Sequence, residues 1–185
     1  AYGIMLGEDG MVKDDGVMAR VGENHYYLTT TTGGAAAVFS WLEFWLQTEY
    51  PHFDVYMTST TDHNSTIAVV GPNSRKLLQK FDSDIDFGKE AFPFMALRTG
   101  QMADIPVQVF RISFSGELAY ELNVHSDYSM GLWEHLMREG DEFGITPYGT
   151  ESLHVLRAEK GFVIVGQDTD GSVTPQDLGM NWLLA

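Results

Sequence analysis

The chain has no cysteine, which excludes disulfides, thiolate nucleophiles and cysteine-bound metals. Basic residues are scarce as well: 11 Lys and Arg stand against 26 Asp and Glu in 185 residues, a formal net charge of −15. A field of that sign repels phosphate backbones and anionic lipid, so neither nucleic acid nor a membrane is an expected partner. No apolar run approaches the roughly 20 residues that span a bilayer, and no basic segment leads into a short apolar one as in a secretory signal. The expected compartment is the cytoplasm. Glycines never fall as Gly-x-Gly-x-x-Gly after a strand, nor in a phosphate loop ending in Lys-Ser or Lys-Thr, so no dinucleotide site is expected here. The histidines His25, His52, His63, His125, His135 and His154 lack metal-ligand spacing. Asp168 and Asp170 begin a calcium-loop pattern whose terminal Glu is missing, and no metal is expected.

What the chain does contain is a core's worth of apolar residues, 44% hydrophobic with 12% aromatic, arranged with both strand and helix periods. The pattern predicts an α+β fold. Tyr2 to Leu6 and Met11 to Val21 read as a hairpin turning at Glu8-Asp9-Gly10, with Gly16 as a candidate bulge, and His25 to Thr29 continues as a β-rich run. Ala35 to Gln47 carries Val38, Trp41, Leu42, Trp45 and Leu46 at helical spacing. Val55 to Thr60 reads as a further strand, closing a unit over residues 1–60. A second unit, 61–185, begins with the strand Thr66–Val70 and the helix Arg75–Phe81, entered through Gly71-Pro72-Asn73. Ile105–Ile112 and Ala119–Val124 read as a strand pair. Ser126–Glu139 reads as a helix with Met130, Trp133, Leu136 and Met137 inward, and Thr150–Lys160 as a helix capped by Gly161. Phe162–Val165 reads as a buried strand. The chain starts inside one apolar strand and stops in another apolar run, as expected for a piece of a longer polypeptide.

Two acidic clusters could carry chemistry. Asp14 and Asp15 are adjacent in a strand, where successive side chains point to opposite faces, so if one is solvated the other points inward. A pair of solvated turn acids and a functional aspartate both fit. In Ser113-Phe114-Ser115-Gly116-Glu117-Leu118-Ala119-Tyr120-Glu121-Leu122, the even separation of Glu117 and Glu121 gives them one face if the strand is regular, and Glu121 lies in its apolar part. A buried carboxylate needs partners. Either an internal ion pair with Arg157 or a ligand with ring N–H donors would supply them.

Taken in order, Tyr2 and Asp15, the Gly71-Pro72-Asn73 turn, Phe114 to Glu121, Leu156-Arg157-Ala158-Glu159-Lys160-Gly161 and Gly166-Gln167-Asp168 form a set that resembles the folate-binding aminomethyltransferase (glycine cleavage T-protein) family. The likeness covers essentially all 185 residues. It is strongest to the α subunits of heterotetrameric sarcosine oxidases, through Asp14-Asp15-Gly16-Val17, the Thr29–Thr32 run with Gly33-Gly34, His154 to Gly161, and Gly166 to Gly171. The resemblance implies a cloverleaf of three domains around a tetrahydrofolate channel. Residues 1–60 would be its inserted subdomain and 61–185 the main part of the first folate-binding domain, with the N-terminal segment and third domain absent. It further implies that Asp15 is catalytic, acting near N5 and N10 of the folate with Tyr2 beside it. Glu121 would clasp the pterin, Phe114 would pack as an aromatic, and Arg157 would line the folate site. Val165 departs from the T-protein pattern, which has Tyr before the Gly-Gln pair. The implied function is capture of the one-carbon unit of oxidised sarcosine as 5,10-methylenetetrahydrofolate, with glycine and hydrogen peroxide. FAD, FMN and NAD would be held outside this chain, the other sarcosine oxidase subunits would be partners, and the fragment is expected to be inactive alone. A glycine cleavage aminomethyltransferase and a non-catalytic folate-binding module fit the same residues.

Overall fold

The Lys13-Asp14-Asp15 stretch lies in a strand of 11 residues, Val12–Gly22 (β2), flanked by Tyr2–Leu6 (β1) and His25–Leu28 (β3) in an antiparallel sheet of order β1-β2-β3. The structure, a computed structural model, describes residues 1–184. It divides into two compact units: Ala1–Ser59 together with the segment from Val163 onward, and Thr60–Phe162. The segment after Val163, grouped by sequence with residues 61–162, therefore clusters with the first unit. Two contacts tie it there: the Val12 N–H donates to the Val173 carbonyl at 2.8 Å, and Trp182 stacks on Tyr2 with ring centroids 6.2 Å apart.

In the first unit, register runs Tyr2↔Val17, Gly3↔Gly16, Ile4↔Asp15 and Met5↔Asp14, then jumps to Leu6↔Val12. The bulge is thus at Lys13, not at Gly16. Gly16 meets a different need: a Cβ there would stand 1.8 Å from the Thr29 carbonyl oxygen, so only glycine lets the chain pass this close. The helix Ala35–Thr48 (α1) follows as expected, with Val38 buried and Trp41, Leu42, Trp45 and Leu46 half-buried. Val55–Thr60 is not a strand. Its backbone is irregular and Tyr56 is 93% exposed, because β propensity without a neighbouring strand to share its hydrogen bonds does not make one.

The second unit is a four-stranded antiparallel sheet of order β4-β7-β6-β5, built from Asn64–Val70 (β4), Leu97–Met102 (β5), Ile105–Phe110 (β6) and Ala119–His125 (β7). Three helices belong to it: Ser74–Leu78 (α2), Ser129–Gly140 (α3) and Thr150–Glu159 (α4). Its core lies on one sheet face, where Val69, Val107, Val109, Tyr120, Leu122 and Val124 meet Leu77, Leu78, Leu132 and Leu136. Phe87 and Phe92 set their rings edge-on to Tyr120 at 5.8 and 5.6 Å. Strand β5 escapes sequence detection because Leu-Arg-Thr-Gly-Gln-Met has little alternation. It is an edge strand whose two-residue turn puts Ala103 (φ 49°) and Asp104 (φ 62°) in the left-handed region, a hairpin geometry usually signalled by Asn or Gly.

Helix α3 starts only at Ser129, after a short 3₁₀ turn over Ser126–Tyr128, and its inward face is the stripe that meets the core through Leu132 and Leu136. Leu132, Leu136 and Gly140 are buried at i, i+4, i+8, whereas Met130 (67%) and Trp133 (40%) are exposed, contrary to the expected inward set. Helix α4 ends as expected: Gly161 has φ 72°, its N–H donates to the Ala158 carbonyl and the Phe162 N–H to the Arg157 carbonyl, the two bonds of a Schellman cap. Phe162–Val165 is not a strand and is not buried. The cap turns the chain there, and the Ile164 N–H is taken by the Asp168 carboxylate.

Candidate functional site

In the first unit, β1 and β2 place Tyr2 and Asp15 diagonally on one sheet face. The Tyr2 hydroxyl donates to Asp15 Oδ2 at 2.7 Å. Both groups are half-buried. Burial raises the Asp15 carboxyl above the usual carboxylate range; the Tyr2 hydrogen bond pulls it down and the Asp14 charge pushes it up again. The Tyr2 hydroxyl is itself raised, by burial and then by Asp15, and remains a proton donor at physiological pH. Asp14 points the other way and is buried. Neither aspartate is a solvated turn acid.

In the second unit, the alternation of β7 sends Tyr120, Leu122 and Val124 into the core, so Glu121 and Asn123 stand on the opposite sheet face. There Asn123 Oδ1 accepts from Thr66 Oγ1 at 2.6 Å. Glu121 is flanked by its register partners Ala68 and Phe110. Burial alone raises its carboxyl, and among the described residues no lysine or arginine lies within 4 Å of it. The internal Glu121–Arg157 ion pair does not form. Instead the buried Arg157 donates from Nη1 to the Phe162 carbonyl at 3.0 Å, across the cap of α4.

Phe114 stacks on Phe162, with centroids 6.4 Å apart and planes 19° from parallel. The turn between Phe114 and β7 is fixed by Ser113, whose Oγ accepts from the Gly116 N–H at 2.9 Å, and by Gly116 (φ 82°), where a Cβ would lie 2.1 Å from Lys160 Cγ. The Gly116 turn therefore rests on the Lys160 stem at the end of α4. Glu117, beyond the turn, is exposed and shares nothing with Glu121.

The five predicted residues thus form two sets: Tyr2 with Asp15 in the first unit, and Phe114, Glu121 and Arg157 in the second. Two residues were missed. Tyr148 precedes α4, and its hydroxyl is raised by burial and then by the charge of Glu121. Trp182 covers one side of Tyr2. A Pro-Tyr-Gly turn ahead of a helix is the signal available for the first; nothing in the sequence marks the second. Val165 lines an open cleft of about 500 Å³ with Asp9, Lys13 and Asp170, which none of the five residues enters.

The profile of the GCVT N-terminal domain matches residues 1–185. The sarcosine oxidase subunit alpha of Corynebacterium sp. (strain P-1) is 54% identical over 185 residues, covering 100% of this chain and 19% of that protein. Among solved structures, the glycine cleavage system aminomethyltransferase T from Bartonella henselae superposes with a TM-score of 0.80 at 23% identity, over 100% of this chain and 46% of that one. The heterotetrameric sarcosine oxidase from Corynebacterium sp. U-96, in complex with pyrrole 2-carboxylate, gives a TM-score of 0.55 at 16% identity, over 80% of this chain and 70% of the matched one. These superpositions establish the aminomethyltransferase fold. The chain spans about a fifth (19%) of the length of the sarcosine oxidase relative.

Proposed function

The chain belongs to the GCVT N-terminal domain family, and from that premise we propose that it is the tetrahydrofolate-binding part of a sarcosine oxidase α subunit. In this reading the one-carbon unit of oxidised sarcosine is captured as 5,10-methylenetetrahydrofolate, with glycine and hydrogen peroxide as the other products. Flavin (FAD, FMN) and NAD are held outside residues 1–185, and the other subunits of a heterotetramer are its partners. The 54% identity to an α subunit over the whole chain supports the assignment.

The observation that carries the reading is Glu121. A carboxyl that burial penalises and no described cation compensates is costly unless a ligand brings donors to it. A reduced pterin offers adjacent N–H groups that one carboxylate accepts in pairs, so the residue present fits the group. When bound, tetrahydrofolate supplies the two nitrogens, N5 and N10, that hold the one-carbon unit. Phe114, backed by Phe162, offers an aromatic face, and Arg157, fixed across the α4 cap, keeps a cation in place in an acidic protein. Asp15 takes the proton work. Its carboxylate, raised by burial and partnered by a Tyr2 hydroxyl that remains protonated, would while ionised offset positive charge building on a bound ligand nitrogen and would then accept the proton that nitrogen gives up.

The test uses the full-length protein with its subunits, supplied with sarcosine and tetrahydrofolate. Asp15→Ala is expected to leave hydrogen peroxide production running while methylenetetrahydrofolate yield falls to background, the uncaptured imine hydrolysing to formaldehyde and glycine. An unchanged methylenetetrahydrofolate yield would refute the assignment. Turnover that instead requires a lipoyl-bearing carrier protein would reassign the chain to the glycine cleavage aminomethyltransferases.

A further inference from the structure

Asp14 is 2% exposed and has no counter-ion: among the described residues no Lys, Arg or His lies within 4 Å of its carboxylate. Three donors hold it instead. Oδ1 accepts from the Asp15 N–H at 2.8 Å and the Thr31 N–H at 3.2 Å, and Oδ2 from the Thr31 hydroxyl at 3.0 Å. The carboxylate also lies at the start of α1, against the helix's first flanking residue. A Cβ on Gly34 would stand 2.0 Å from Oδ2, and the positive end of the helix dipole is there. The side chain therefore clamps β2 to the turn that opens α1.

An asparagine would make the same clamp, since its carbonyl can accept both N–H groups and its amide can donate to the Thr31 hydroxyl. The negative charge is thus not needed for the fold, and burying it carries a cost that an amide would avoid. Its effect falls on the residue next to it. Successive strand side chains point to opposite faces, so the two carboxylates share no hydrogen bond with each other but interact through the sheet, where the low dielectric preserves the repulsion. The charged and titratable groups around the pair are few. The Tyr2 hydroxyl from β1 is on Asp15, the Ala1 ammonium is on the Met18 carbonyl, and Lys13 is exposed, its Nζ 5.6 Å from the centre of the Trp41 ring of α1.

We propose that Asp14 is a positioning residue for Asp15: a buried acidic side chain, held by three donors, that through its grip on β2 and its place beside Asp15 supports Asp15 as a proton acceptor and presents it to the Tyr2 hydroxyl. The inference rests on the proton-accepting role given to Asp15 above. In that step the ligand N–H bond breaks, its electron pair stays on nitrogen and the proton moves to the Asp15 carboxylate. Two neighbours act on this acceptor in opposite senses, Tyr2 stabilising the ionised form and Asp14 opposing it. The neighbouring charge makes a stronger base of a group that a hydrogen bond would otherwise weaken.

The experiment measures folate-coupled one-carbon capture against pH in the full-length protein, for wild type, Asp14→Asn and Asp15→Asn. The expected result is that Asp14→Asn moves the acid limb of the kcat profile to lower pH and lowers kcat at neutral pH, with the KM for tetrahydrofolate unchanged within twofold. Thr31→Val, which removes the hydroxyl donor that Asp14 Oδ2 accepts from and so loosens its grip beside Asp15, is expected to move the limb the same way, and Thr31→Ser, which keeps a hydroxyl, to leave it at the wild-type position. These two keep the inference testable should Asp14→Asn fail to fold. If the limb stays at its wild-type position in Asp14→Asn, or in Thr31→Val where only that variant folds, the inference is overturned. If Asp15→Asn retains full capture, the role given to Asp15 fails first, and the two failures are distinguished.

Discussion

Glu121→Gln separates binding from stability, because the two respond to this change with opposite signs. Burial raises the Glu121 carboxyl above its ordinary 4.5, and among the described residues no lysine or arginine offsets it. For an acid raised in the folded state, the folded protein holds the proton more tightly than the unfolded chain. The stabilising contribution of this one group is therefore fully present below pH 4.5 and is lost as pH rises through the folded value. At neutral pH the charge is a cost that glutamine, nearly isosteric, removes. Thermal unfolding of Glu121→Gln is thus expected to occur at the same or a higher temperature than wild type at pH 7, with a flatter pH dependence above pH 4.5. Binding moves the other way. A hydrogen bond to a charged group is worth about 1.5–3 kcal/mol, and each 1.4 kcal/mol is about tenfold in affinity. Loss of the carboxylate should therefore weaken tetrahydrofolate binding by roughly 10- to 100-fold. Calorimetric titration of the full-length protein, paired with thermal melts from pH 4 to 8, reads both. Equal affinity for the two proteins, or a melting temperature that falls at pH 7, would refute the reasoning.

Other perturbations have equally definite signs. Tyr2→Phe removes the hydroxyl that stabilises ionised Asp15, so the acid limb of the capture profile should move to higher pH, opposite to Asp14→Asn. Gly116→Ala forces a left-handed residue and drives a methyl into the Lys160 stem. It should cost about 1–2 kcal/mol from the backbone alone, measured by chemical denaturation, and weaken folate binding by displacing Phe114 and Glu121. Leu132→Ala, at a fully buried position of α3, should destabilise the second unit by about 2–5 kcal/mol while leaving the Asp15-dependent pH limb in place.

Local chemistry made much of this fold legible. The Schellman cap at Gly161, the α1 face headed by Val38 and the alternation that buries Tyr120, Leu122 and Val124 all follow from short-range rules, and the structure has each of them. The same rules mislead where pairing decides. Val55–Thr60 and Phe162–Val165 have strand composition and no ladder, while Leu97–Met102 has weak composition and becomes an edge strand because β6 offers one. Met130 and Trp133 face solvent because the core takes the Leu132, Leu136 and Gly140 stripe of α3 instead.

The two acidic clusters divide in the same way. That carboxylates at 14, 15 and 121 sit in apolar strands, and that their order with Phe114 and Arg157 matches one family, was written in the residues themselves. Which aspartate is buried, that Tyr2 bonds Asp15, that Arg157 turns to Phe162 rather than to Glu121, and that Tyr148 feels the Glu121 charge were settled by the fold. The reason is physical. Strand period and capping depend on neighbours a few residues away, whereas the proton affinity of a carboxylate depends on the water it has lost and the charges brought near it, and only tertiary packing sets those.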